Sequence, residues 1–255
     1  HHIEGLAISL FATRNRKVPV VYYSHTNLGP ELPYYLPQWL PRPLAVFAKG
    51  IARATGHAFE KFLVKKADQV VVLNQPSKQY LLGMGVKVPI EVQPPTQVMN
   101  LNPKPSSVEK NKHPTLVYAG NGDAYQNLTL LRDAYFQLVK YDPTIRLHIC
   151  THEQSAVFLK RHPWVQTFGI RLFAGLSWAQ AKKELEKAHV GVSPRHLSTG
   201  FPIKIINYIN ANLRVVTCHP YSATHEGVMY SRPALSEMVQ ALRQQLHAAT
   251  FELHT

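Results

Sequence analysis

The feature that most constrains this chain is a series of short, almost wholly apolar runs. They are VPVVYY at 18 to 23, QVVVL at 69 to 73, TLVYA at 115 to 119, IRLHIC at 145 to 150, HVGVS at 189 to 193 and RVVTC at 214 to 218. Helix-length segments separate them. Short apolar strands alternating with helices imply parallel sheets covered on both faces, and therefore an α/β architecture. A chain of 255 residues, 45% hydrophobic and 17% charged, has enough apolar material to cover such sheets.

The stretch QPPTQVMNLNPKPSSVEKNKHP, 93 to 114, holds five prolines and no apolar periodicity, so it reads as a connection between two units. The expected division is 1–98, a linker at 99–114, and 115–255. The second unit offers five or six strand candidates, a complete doubly wound sheet. The first offers two clear strands and a weak one at 89 to 92, and so is expected to be an incomplete unit. The segment 234 to 248 reads as an amphipathic helix.

Charge points to an anionic partner: 28 Lys and Arg against 15 Asp and Glu give +13, spread as +6 over residues 1–98 and +7 over the rest. No apolar run has the length of a membrane span, and no basic segment precedes the apolar stretch at the start. The expected location is therefore cytoplasmic. Cys150 and Cys218 each end a strand-like run and suit buried thiols.

Two loops carry the chemistry. In STGFPIK, Gly200 permits close backbone approach, Pro202 suits a first helical turn, and Lys204 adds positive charge, so the segment is an expected anion-binding helix start. In VYAGNGDAYQ, a strand runs through Gly120-Asn121-Gly122 toward a helix, a second candidate phosphate cradle. His148 and His152 fall four apart on a strand end, a poor zinc spacing.

The order of these loops resembles the sugar-nucleotide domain of retaining glycosyltransferases of the GT-B fold, family four. In that family a strand ends in Gly-Arg, with Lys-Gly soon after; then come Glu-x-Phe-Gly, a second Glu, and Pro-Val-Val. The counterparts here are Gly120-Asn121, Gln126-Asn127, Thr199-Gly200-Phe201-Pro202, Asn207 and Arg214-Val215-Val216. Every charged member is replaced. Arg195 and Lys204 flank the second loop and are the expected substitutes for the missing cations. The chain is similar to a subset of the family with Gly-Asn and Tyr-Gln in the first loop and Gly-Phe-Pro-x-Lys in the second.

The resemblance implies a GT-B-like pair of Rossmann-like units, the first incomplete, and transfer of a hexose from a UDP- or GDP-linked sugar with retention. It implies no metal or other cofactor. Donor contacts are expected from Gly120, Asn121, Gly122, Gln126, Thr199, Gly200, Phe201, Pro202, Ile203 and Asn207, and catalytic roles from Arg195, Lys204 and His25. His25, just past the first strand, matches a family histidine that touches the donor sugar. His1, His2 and Glu4 resemble the end of a further stretch at the cleft. The acceptor is expected to be lipid-linked or a saccharide. The alternatives are a non-catalytic sugar-nucleotide-binding or scaffold protein and, on charge alone, an RNA-binding α/β protein; the leading reading has no nucleic acid partner.

The segment 43 to 66 carries Lys49, Arg53, His57, Lys61 and Lys65 at four-residue steps, with Phe47, Ile51, Ala58 and Phe62 on another face. The favoured reading is a solvated basic face on a core-packed helix. The alternative is peripheral contact with an anionic membrane at the inner face. Family members normally carry roughly 75 to 100 further residues in the first unit. A short first sheet implies an exposed strand edge, slow turnover and self-association.

Overall fold

The computed structural model describes residues 2–15, 18–37, 39–95, 107–195, 200–220 and 227–251. They form two compact units, His1–Asn100 with Leu197–Phe201, and Leu101–His196 with Pro202–Thr255.

The first unit begins with helix α1 (His2–Thr13), strand β1 (Val21–Ser24), the single turn α2 (Leu28–Glu31) and the long helix α3 (Arg42–Val64). It continues with β2 (Gln69–Val72), α4 (Gln75–Gly83) and β3 (Ile90–Val92). The strands form a parallel sheet in the order β1-β2-β3, with Tyr22 opposite Val70 and Val71 opposite Glu91. Burial tracks the sequence: Val70 to Val72 of the central strand are shielded, whereas Val21 and Tyr23 of the edge strand are exposed. A core of Leu6, Tyr22, Val64, Val70, Val72 and Leu81 joins α1, α3 and α4 to the sheet.

Helix α3 departs from expectation. It buries Ala52, Gly56, Glu60, Leu63 and Val64, whereas Phe47, Ile51 and Phe62 are 70%, 51% and 58% exposed. The face expected to pack is therefore the open one. Small residues won the contact because α2 crosses α3 closely: a Cβ on Gly56 would stand 3.0 Å from the Gly29 Cα and 3.1 Å from the Leu28 carbonyl.

The second unit runs β4 (Thr115–Ala119), α5 (Leu128–Tyr141), β5 (Arg146–Thr151), α6 (Glu153–Leu159), β6 (Ile170–Ala174) and α7 (Trp178–Lys187). Then follow β7 (Val190–Ser193), α8 (Lys204–Asn210), β8 (Arg214–Thr217), β9 (Val228–Tyr230) and α9 (Leu235–Phe251). Its six parallel strands are ordered β6-β5-β4-β7-β8-β9. β6 and β9 lie outside the sequence runs because they are edge strands, half-exposed and hence not wholly apolar. Residues 96–106 of the proline-rich stretch lie outside the described residues. Its end is not free: the Asn111 N–H donates to the Lys187 carbonyl and the Lys110 amine to the Ala188 carbonyl.

The chain winds from β4 outward to β6, then returns to β7 beside β4 and winds the other way. Ligands of such sheets bind where the direction reverses, beyond the carboxyl ends of the two strands. Here β4 and β7 pair only at Leu116 with Val190 and Val117 with Gly191, and then part. The Tyr208 side chain of α8 fills the gap. Its hydroxyl accepts from the Ala119 N–H at 2.7 Å and donates to the Val192 carbonyl at 3.2 Å. The ring lies over Gly191, where any Cβ would overlap it.

Removing that hydroxyl in Tyr208→Phe leaves a strand-end N–H and a carbonyl without their bridge. The expected loss of unfolding free energy is about 1 to 3 kcal/mol, read from urea denaturation.

Candidate functional site

At the end of β4 the chain enters Gly120 with φ 153°, a conformation reserved largely for glycine. A Cβ there would sit 2.7 Å from the Lys204 Nζ and 2.9 Å from the Tyr118 hydroxyl, so the glycine keeps the floor of the crevice open to the lysine. The Tyr118 hydroxyl donates to the Asn121 carbonyl at 2.7 Å and fixes the following turn. A 3-10 turn at Ala124–Gln126 and Asn127 in the left-handed region then lead into α5.

Lys204 opens α8 and is half-buried. The amine leaves the helix and donates to Gln126 Oε1 at 2.7 Å while lying 4.1 Å from the centroid of the Tyr118 ring. Gln126 Nε2 donates to Asn121 Oδ1 at 3.2 Å, and Asn121 Nδ2 donates to Asp123 Oδ2 at 2.5 Å. The two amides thus form a relay of dipoles from the Lys204 amine to the Asp123 carboxylate. Arg195, just beyond β7, is 6% exposed and has its guanidinium 5.3 Å from the centroid of the Tyr125 ring.

Burial, and then the field of Arg195, push the Lys204 amine down to about 7, with Asp123 pulling weakly the other way. Two neighbouring cations in a sheltered crevice repel each other. An anion placed with them restores the charge of the lysine and relieves the repulsion, so the arrangement suits a di- or monophosphate.

The second unit thus brings Gly120, Asn121, Gln126, Arg195 and Lys204 together. Gly122 turns elsewhere: a Cβ on it would meet Phe158 and Leu159 at 3.4 and 3.5 Å, so it serves packing against α6. Asn207 is half-buried, three residues beyond Lys204 on the same helix face. Ile203 is 44% exposed.

The second loop differs from the expected anion-binding helix start. Pro202 precedes the helix, and its carbonyl accepts from the Ile205 N–H to begin the turn. Gly200, at φ 73°, belongs with the first unit: its carbonyl accepts from the Asn74 amide and its N–H donates to the Ser77 hydroxyl at 3.3 Å. Both backbone groups of Gly200 therefore engage the start of α4. Phe201 is buried, and Thr199 lies outside the described residues.

His25 lies in the first unit, three residues before α2. It is half-buried and its ring stacks on His2 at 5.4 Å between centroids. Burial, then the charge of His2, hold its pKa below the usual histidine value, which favours the neutral imidazole at pH 7. His1 lies outside the described residues, and Glu4 is exposed on α1.

Tyr125 entered the sequence reading only as part of the Tyr-Gln motif, and Tyr118, Asp123 and Tyr208 escaped it, as did Asn74 and Ser77. Only the last pair left a signal: Asn-Gln-Pro-Ser is a helix start, and the Asn74 side chain indeed accepts from the Ser77 N–H. The two thiols are inert, Cys150 and Cys218 both being buried and pushed up to about 12 by that burial.

No family model matches the sequence, and no curated protein matches it. Solved structures do. TarM from S. aureus superposes with a TM-score of 0.69 at 15% identity over 96% of this chain. HepE from Anabaena, solved in complex with UDP-glucose, gives 0.73 at 14% over 97%. Sucrose-phosphate synthase from Thermosynechococcus elongatus gives 0.71 at 14% over 96%. These neighbours are GT-B glycosyltransferases, and the likeness shows a GT-B-like fold. The chain spans 47%, 68% and 63% of their respective lengths.

The folded value of Lys204 lies below its unfolded one. Between about 7 and 10.5 the unfolded chain therefore holds a proton that the ligand-free folded chain lacks, and stability rises with pH. Lys204→Met removes this slope. Thermal midpoints should show the variant more stable than the parent near about pH 6, with the gap closing toward about pH 10.

Proposed function

We propose that this chain is a retaining glycosyltransferase of family-four type that takes a hexose from a UDP- or GDP-linked sugar. The observation that carries the reading is the pair of sheltered cations, Lys204 and Arg195, at the crevice where β4 and β7 part. As the glycosidic bond to the diphosphate breaks, negative charge grows on the leaving oxygen. Preorganised cations there act most strongly at the transition state. Asn207 suits a hydrogen bond to the donor, and the resemblance to the family supports a role for His25 toward the sugar.

No metal is required in this mechanism, because Lys204 and Arg195 carry the charge that a divalent ion would supply. UDP sugars are the first donors to test, since HepE was solved with UDP-glucose. The acceptor class is a lipid-linked or free saccharide.

Calorimetric titration with UDP, GDP and ADP sugars tests the reading. Binding of one nucleotide class is expected, and Lys204→Ala and Arg195→Ala should each weaken it by about 1.5 to 3 kcal/mol. Unchanged affinity in both variants would sink it. Binding near about pH 8 should also take up nearly one proton, seen as a dependence of the enthalpy on the buffer, and take up much less near about pH 6. Release of sugar from labelled donor separates a transferase from a protein that only binds.

A second element of the reading concerns α3. Residues 33–67 hold six Lys and Arg against one acid, Glu60, which is buried. Trp39, Val46, Phe47 and Phe62 are 81%, 73%, 70% and 58% exposed. Exposed aromatic and aliphatic side chains among lysines and arginines suit an anionic lipid surface, which accepts both. No described helix is long and apolar enough to cross a membrane. Sedimentation with vesicles containing phosphatidylserine should bring the protein down and release it as salt rises; equal binding to neutral vesicles, or none to either, excludes this contact.

A further inference from the structure

Ala52, Gly56 and Glu60 form one stripe of α3, spaced four apart, and α2 crosses them. Gly56 has no side chain because the two backbones touch there. The third is a carboxylate with no exposed surface, unexpected in such a contact. Its partners explain it. Oε1 accepts from Asn27 Nδ2 at 3.2 Å; Oε2 accepts from the Gly29 N–H at 3.4 Å and from the Tyr80 hydroxyl at 3.1 Å. The Leu28 N–H contributes as well. All but Tyr80 belong to the segment 27–29, which begins two residues after His25.

We infer that Glu60 is a positioning residue, whose buried carboxylate holds the segment 27–29 and thereby fixes where the His25 imidazole stands. The inference rests on the reading of His25 as a group that serves the donor sugar, but its geometry stands by itself. A helix of one turn cannot hold its own start, since the first N–H groups have no partner within it. Asn27 and Gly29 are buried, so water is a poor substitute partner at those two positions. A carboxylate accepts up to about four hydrogen bonds through two oxygens, whereas glutamine has one acceptor oxygen, so only an acid serves donors converging from three sides. On the other side of His25 the Ser24 hydroxyl donates to the Thr26 carbonyl at 2.9 Å. His25 is thus carried on a loop pinned at both ends.

This arrangement has a cost. Burial holds the Glu60 pKa above the usual carboxylate range although Asn27, Gly29, Tyr80 and Leu28 all favour the charge. An apolar side chain would fill the crossing without that cost, but would leave the donors of the segment unanswered.

Histidine-ring NMR on the whole chain tests the inference, with the His25 signal identified by its loss in His25→Gln. In Glu60→Gln the segment should loosen and His25 should hydrate. Its titration midpoint should then rise by about half a pH unit or more toward the ordinary value, and amide exchange at Leu28 and Gly29 should quicken about tenfold. Loss of a nearby negative charge alone would move the midpoint the other way, so the sign separates positioning from a direct field. Leu81→Ala, which weakens the same core away from this segment, should leave the His25 midpoint in place. If Glu60→Gln fails to fold, Tyr80→Phe removes one donor to the carboxylate and should shift His25 in the same direction by less. A folded Glu60→Gln, or failing that Tyr80→Phe, whose His25 midpoint and amide exchange match the parent would overturn the inference. So would an equal shift in Leu81→Ala. None of these readings needs a nucleotide, so absence of donor binding would refute the proposed function and leave this test intact.

Discussion

The hydroxyl of Tyr208 is the interaction on which the second unit depends. Parallel strands that pair along their whole length leave no opening between them. β4 and β7 pair at two positions only, and beyond them one phenolic oxygen both accepts from Ala119 and donates to Val192. The strand-end groups are thereby satisfied while the strands stand apart. Gly191 supplies the space for the ring, and α8 is thereby pressed against the sheet. Lys204 lies four residues, about one turn, before Tyr208. The same contact that opens the crevice therefore aims the lysine into it.

Two cations, Lys204 and Arg195, share the crevice. In water a lysine beside an arginine is a minor repulsion, but enclosure strengthens the effect and removes the hydration that would offset it. Lys204 responds by holding its proton weakly. Gln126 and Asn121 moderate the strain by passing dipoles toward Asp123, though they add no positive charge. An anion between the cations would supply what the amides do not. The first loop thus contributes amides and the cation beside them comes from α8.

The first unit handles burial by a different rule. Over its middle turns the long helix α3 buries Ala52, Gly56 and Glu60 and exposes Phe47 and Ile51, and its last turn sends Leu63 and Val64 into the core beside an exposed Phe62. Amphipathic helices ordinarily do the reverse. The inversion arises because α2 lies close enough to forbid side chains at Gly56, and because the start of α2 needs acceptors, which Glu60 supplies. Phe47, Ile51 and Phe62 are left exposed, and the Lys66 amine lies 4.0 Å from the centroid of the Phe62 ring.

Much of the architecture was legible in the residues. The apolar runs located β2, β4, β5, β7 and β8, since strands buried on both faces admit few polar side chains, and also β1, an edge strand whose exposed positions carry Val21 and Tyr23. The edge strands β6 and β9, with mixed burial, carried no such mark. The opposite error occurred on α3, where the apolar period of Phe47, Ile51 and Phe62 suggested packing, whereas the decisive signal was the pair of glycines at 29 and 56. Periodicity reports which residues could share a face; only the crossing helix decided which face was covered. The sequence alone determined the parallel α/β class, the glycine that opens the first loop, and a basic chain suited to an anion. The tertiary structure alone decided that Lys204 would meet Gln126, 78 residues away, that Tyr208 would stand between two strands, and that Glu60 would answer the donors of residues 27–29. Each of these is a contact between segments distant in sequence, and no local pattern of propensity or spacing encodes such a meeting.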